Sequence, residues 1–163
     1  MTQPSHPAAM ILAATLTLLP FSLSAQEAAM LDAATQTYID RFESLINSPG
    51  QIEVTALALP AMVDHAPWPG HTPDLAGFEA GLAEFRLSFP DLSAEVIRTV
   101  AQGDLLAVHF KMSGTQLGPF MGAPATGKTF AIEAMDIVRL QDGRIAEHWG
   151  VMDAAAMAAQ LGL

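Results

Sequence analysis

An unbroken period-two alternation from Thr129 to Leu140 constrains this chain more than any other feature. Phe130, Ile132, Ala134, Asp136, Val138 and Leu140 fall on one face, and Glu133, Met135, Ile137 and Arg139 on the other. Successive side chains of a strand point to opposite sides, so a pattern of this length reads as a strand with one face in the core. The even face is apolar except for Asp136. Turning the strand over would bury Glu133 and Arg139 while exposing Phe130 and Ile132, so the even face is assigned inward. An unpaired charge there costs several kcal/mol or more, so Asp136 needs a partner, a proton or a cavity.

Gln141-Asp142-Gly143-Arg144 reverses the chain, which returns as Ile145 to Met152. Loop length sets the pairing. A three-residue loop with Gly143 left-handed pairs Leu140 with Arg144 and puts Asp136 opposite His148, whereas a two-residue Asp-Gly loop puts Asp136 opposite Trp149. The first keeps Val138 with Ala146 on the apolar face and is preferred; it gives an Asp136/His148 pair lining a pocket. The odd face, with Met135, Ile137, Ile145, Trp149 and Val151, is then an exposed apolar patch of the kind that marks a partner surface.

Residues 1–25 hold no Lys, Arg, Asp or Glu, and Ala8 to Leu19 is an apolar run followed by Pro20 and Ser22-Leu23-Ser24-Ala25. The run is too short for a stable membrane span and is placed like a secretory signal cleaved near Ala25. The expected location is periplasmic or secreted, although the n-region has His6 in place of Lys or Arg. Residues 26–163 then form one domain carrying the whole net charge of −10. An acidic surface without basic clusters argues against nucleic acid and anionic membranes. No cysteine is present, which excludes disulfides and thiolate chemistry.

Apolar residues at helical spacing predict a helix over Glu27 to Asn47, stopped by Asn47-Ser48-Pro49-Gly50. A short helix over Ile52 to Leu59 and a brief extended piece, Met62 to His65, follow. Ala66 to Pro73, with three prolines and a glycine, is a loop. Thr72-Pro73-Asp74 opens a helix whose stripe is Leu75, Phe78, Leu82, Phe85 and Phe89. Ser93 to Val100 and Leu105 to Ser113 read as strands around Gln102-Gly103-Asp104, with Leu106, Val108, Phe110 and Met112 on one face and His109 and Lys111 on the other. Asp153 to Leu163 reads as a short helix, Met157 and Leu161 closing one end.

Helices first and an antiparallel meander afterwards make an α+β domain: a cone-shaped curved antiparallel sheet packed against N-terminal helices. The pocket between them takes an apolar or aromatic ligand. Its candidate walls are Trp68, Phe110 and Phe120, with Phe130, Ile132 and Val138 of the alternating strand. Gly122 to Thr129 matches the phosphate-loop pattern, but it leads into a strand where that loop needs a helix, so nucleotide binding is rejected. His65 and His71 match no metal-ligand spacing, and no metal is expected.

The segments Phe89-Pro90-Asp91-Leu92, Gly114-Thr115-Gln116, Gly118-Pro119-Phe120-Met121-Gly122, Pro124-Ala125-Thr126-Gly127-Lys128 and Asp142-Gly143-Arg144-Ile145-Ala146-Glu147-His148-Trp149 resemble the SnoaL-like polyketide cyclases, or ester cyclases, of the nuclear-transport-factor-2-like superfamily. The resemblance runs from about Leu31 to Leu163. It implies the cone-shaped fold, a homodimer through the sheet, and aldol-type ring closure by a strand carboxylate without metal or cofactor. Asp136 stands where that carboxylate belongs, with His148, Gln116 and His65 as donors to the forming oxyanion. His65 also stands where the family often carries a histidine at the pocket mouth. The family commonly has His where this chain has Gln116, and an amide can donate but cannot shuttle a proton near neutral pH. The expected ligand is a small apolar carbonyl compound; the competing reading is a non-catalytic ligand-binding or interaction module on the same fold.

Overall fold

The computed structural model describes residues 25–48 and 53–163. The expected signal segment lies outside these residues, apart from Ala25. The order is α1 (Ala25–Asn47), α2 (Val54–Leu57), β1 (Ala58–Asp64), α3 (Leu75–Ser88), β2 (Ser93–Gln102), β3 (Leu105–Thr115), β4 (Thr129–Gln141), β5 (Arg144–Met152) and α4 (Ala154–Leu161). The strands form one curved, open sheet in the order β1-β5-β4-β3-β2, giving the expected α+β fold. β2 to β5 pair antiparallel in sequence, and β1 joins the edge parallel to β5.

β1 is longer than the sequence implied and takes in Leu59 and Pro60, leaving α2 only four residues. Proline lacks the N–H a ladder needs and suits an edge or a bulge. Pro60 lies on the edge strand, where pairing with β5 skips from Ala58 to Val63.

Side chains fasten the helices to the sheet. Arg86 of α3 donates to the carbonyls of Leu45, Ile46 and Ser48, supplying partners and positive charge where the backbone bonds of α1 run out. Asn47 grips both backbone groups of Ala94 on β2. Asp74 caps α3 by accepting the Gly77 N–H at 3.0 Å. Pro73 precedes this cap and does not occupy the first turn, and its carbonyl accepts the Asp64 N–H at 3.1 Å. That bond fixes the entry of α3 to the end of β1.

Leu106, Val108, Phe110 and Met112 of β3 and Phe130, Ile132, Ala134 and Val138 of β4 are all buried, as the alternation requires. They meet Tyr38, Phe42 and Ile46 of α1 and Leu82 and Phe85 of α3. Phe85, Phe89, Phe120 and Phe130 form an aromatic cluster with centroids 4.8 to 6.2 Å apart. Each fully buried side chain of this kind contributes about 1.5–3 kcal/mol. Asp153 caps α4, and Met157 and Leu161 are buried beneath it.

The β4–β5 hairpin departs from both expected registers. Asp142 and Gly143 have φ of 53° and 68°, so the turn is the two-residue type and Gln141 faces Arg144. The ladder then slips between Arg139 and Leu140, leaving Ala146 as an extra residue on β5. Beyond it Val138 faces His148 and Asp136 faces Gly150. The preferred pairings of Asp136 with His148 and Val138 with Ala146 are thereby corrected. Because the bulge exchanges the faces of β5, Ile145 is buried and leaves the proposed outer patch, while Met135, Ile137 and Val151 remain exposed.

Candidate active site

Three strands deliver the site: β1 ends on Asp64, β4 carries Asp136 at mid-length, and β5 carries His148. Asp64 and His148 are partners in the parallel pairing of β1 and β5, with the His65 N–H donating to the His148 carbonyl at 2.8 Å. Their side chains meet at 2.9 Å, Nδ1 of the imidazole against Oδ1 of the carboxylate. Asp64 is 1% exposed and His148 8%. The other ring nitrogen, Nε2, lies 3.5 Å from Oδ2 of Asp136. That distance exceeds the usual range for an N–H···O bond, so the N–H remains open to a ligand oxygen.

Gly150 makes the meeting possible. A Cβ at this position would lie 2.8 Å from Oδ1 of Asp136 and 3.0 to 3.1 Å from the edge of the His148 ring. Phe78 of α3 covers the ring edge-on, with centroids 5.3 Å apart.

Burial alone would depress the His148 pKa. The close approach of Asp136, the hydrogen bond to Asp64 and the charges of both carboxylates outweigh it and raise the value to about 9, so the ring is an imidazolium at neutral pH. Burial opposes ionisation of Asp64 as well, but the His148 hydrogen bond and the Ala66 N–H bring its pKa below the usual value. Burial, and then the Asp136 charge, push the Tyr38 phenol far upward, which keeps it neutral.

Asp136 and His148 line a cavity of about 940 Å³ between the sheet and the helices. Phe42, Phe78, Phe85, Phe110 and Phe120 form much of its wall, and Trp68 lies at its loop side. A Cβ at Gly81 would run into the Trp68 indole, so this glycine lets the ring lie against α3. A cavity of this size and mainly apolar lining has room for an apolar ligand, and the Asp136–His148 pair faces into it.

The profile of the SnoaL-like polyketide cyclase family matches residues 36–161. The chain belongs to that family. Aklanonic acid methyl ester cyclase DnrD of Streptomyces peucetius is 29% identical over 96 residues, which are 56% of this chain and 66% of DnrD. The match therefore spans slightly less than two thirds of that relative. TsrD of Streptomyces laurentii superimposes with a TM-score of 0.71 at 28% identity, covering 80% of this chain and 96% of TsrD. Wild-type IdmH of Streptomyces antibioticus, a candidate polyketide cyclase, gives 0.68 at 33%, covering 80% of this chain and 99% of IdmH.

Within this SnoaL-like chain, the residues singled out from the sequence divide into three groups. Asp136, His148, Trp68, Phe110 and Phe120 line the cavity. Phe130, Ile132 and Val138 are packed into the core and are not among its walls. Gln116 and His65 are elsewhere.

Gln116 is fully buried, but its amide donates to the carbonyls of Gly118 and Pro124 and accepts the Thr126 hydroxyl. It ties down the loop before β4 and has no group left for an oxyanion. His65 lies outside the cavity, stacked on Trp149 at 4.5 Å and bonded to Glu147 at 2.8 Å. The residue after Asp64 in a strand points to the opposite side, which explains why His65 misses the cavity mouth. His71, from the same loop, lines the cavity and lies 3.3 Å from Glu84.

Sequence reasoning missed Asp64 and Gly150. Asp64 carried the same signal as Asp136, a carboxylate in phase with buried Met62 while Val63 is exposed. The segment was too short for the alternation to stand out.

Proposed function

We propose that the chain catalyses a cofactor-independent, aldol-type ring closure or isomerisation of an apolar carbonyl compound, with Asp136 as the acid–base. The observation that carries this reading is a carboxylate beside an imidazolium N–H in a largely apolar cavity. Asp136 takes a proton from a carbon next to a ketone or ester carbonyl. The Nε2–H of His148 donates to the enolate oxygen as charge develops there. In a closure, the enolate carbon attacks a second carbonyl of the same molecule, and Asp136 returns the proton to the resulting alkoxide. The bonds and the catalyst are then balanced. Family membership supports cyclase-type chemistry, and the methyl ester in the name of DnrD fits a ligand with a neutral carbonyl end.

The tied-off Gln116 favours a second reading, a non-catalytic binder, because it leaves the site one donor fewer than the sequence implied. Exchange of the α-protons of β-tetralone in D₂O, followed by proton NMR, separates the two. The wild-type chain is expected to accelerate exchange, and Asp136→Asn to lose about 10²–10⁴-fold of that rate. Equal rates for both proteins and buffer would sink the catalytic reading.

Export through residues 1–25 and dimerisation through the outer face of the sheet belong to the same proposal. The exposed Met135, Ile137 and Val151 support the second of these.

A further inference from the structure

We infer that Asp64 is a positioning residue for this site: by holding Nδ1 of His148, it dictates which imidazole nitrogen faces the cavity and keeps a proton on that nitrogen beside Asp136. The role rests on the carbon-acid reading above. The carboxylate is 1% exposed, and burying a charge costs several kcal/mol unless it is paired. Its pairing is specific. Oδ1 accepts the His148 Nδ1–H at 2.9 Å and also the Ala66 N–H at 2.9 Å, so the carboxylate is held against rotation. The backbones are locked too, by the His65 N–H on the His148 carbonyl and the Pro73 carbonyl on the Asp64 N–H.

The consequence follows from the two nitrogens of the ring. A neutral imidazole carries one proton, and Asp64 claims it for Nδ1, which would leave Nε2 as an acceptor facing Asp136. For Nε2 to donate to a ligand oxygen, the ring must carry both protons. The charged groups in contact with the ring favour that state: Asp64 from β1 and Asp136 from β4, while α3 lays the Phe78 ring against its edge. Two further titratable groups interact with these carboxylates through charge: His65, the next residue to Asp64, and Tyr38 of α1, whose phenol feels the Asp136 charge. Removing the Asp64 charge takes away the closer of the two carboxylates that hold the second proton.

Asp64→Asn tests this, because its amide oxygen can still accept from Nδ1–H and from Ala66 while the charge is gone. Ring-nitrogen NMR of the full chain, with His148→Gln as the assignment control, is expected to show both nitrogens of His148 protonated at pH 7.5 in the wild type. In Asp64→Asn the ring should lose its second proton at a pH lower by at least about one unit, in keeping with the loss of one adjacent charge. The kcat for β-tetralone exchange should fall by about 10²-fold with KM little changed, as expected for misplacement of a catalytic group.

Unchanged titration and unchanged exchange kinetics in Asp64→Asn would overturn the inference. A wild-type His148 that is neutral at pH 7.5 would overturn it even if the variant fails to fold. Exchange that Asp136→Asn abolishes and Asp64→Asn leaves intact would retain the function and remove Asp64 from it. Absence of exchange in every protein would remove the function, and with it the positioning role, whatever the NMR shows of the pair itself.

Discussion

The two faces of the sheet carry the same chemical pair in different surroundings. On the concave face His148 lies 2.9 Å from Asp64, and on the convex face His65 and His109 lie 2.8 Å from Glu147 and Glu133. The distances are nearly equal. What differs is solvent: the Asp64 side chain is 1% exposed, whereas Glu147 and Glu133 are 31% and 63% exposed. Water screens the outer pairs and competes for their hydrogen bonds, so each contributes little. Inside, water does not compete for the contact, and the pair fixes a protonation state. Burial, more than proximity, turns a histidine–carboxylate contact into a defined acid–base group.

The sharpest way to break the contrast is to crowd the inner pair without removing a charge. Gly150→Ala inserts a methyl 2.8 Å from Oδ1 of Asp136 and forces it away from His148. β-Tetralone exchange should drop by about 10²-fold. Urea unfolding should show a cost of about 1–3 kcal/mol for the overpacking.

A second test uses pH. The His148 value is raised in the folded chain to about 9, so its contribution to stability is fully present below about 6.5, the unfolded value, and is lost as pH rises through 9. The expected loss is about 3 kcal/mol between pH 6 and pH 10, read from urea midpoints. His148→Gln should remove this dependence. A wild-type midpoint flat across that window would mean that the inner pair is no stronger than the outer ones.

The smallest effect is expected outside. His65→Ala removes the contact with Glu147 and the stacking on Trp149, yet should shift stability by no more than about 1 kcal/mol and leave exchange unchanged. A larger loss of stability would erase the distinction between the faces.

Much of the architecture was legible because its signals are local. The period-two rows of β3 and β4 identify their buried faces within a single strand. The stripe of Leu82, Phe85 and Phe89 marks the buried side of α3 and the chain just beyond it, and Asp74 and Asp153 announce the starts of α3 and α4. The aromatic side of the cavity was partly legible for the same reason. Phe110 and Phe120 reach it, but Phe130, Ile132 and Val138 share the inward face and are packed into the core, and periodicity cannot tell a wall from a packed core.

By itself the sequence determined that this chain is an α+β domain with Asp136 and His148 turned inward, because side-chain direction along a strand follows from residue parity. Tertiary structure alone decided what Asp136 faces and what His148 holds. One extra residue at Ala146 re-registers the hairpin, and no local pattern reveals on which strand a bulge falls. Asp64 and His148 are separated by 84 positions and meet only because β1 closes the edge of the sheet parallel to β5. A parallel neighbour leaves no turn in the sequence to announce it, so the contact that sets the charge of the site exists only in the folded sheet.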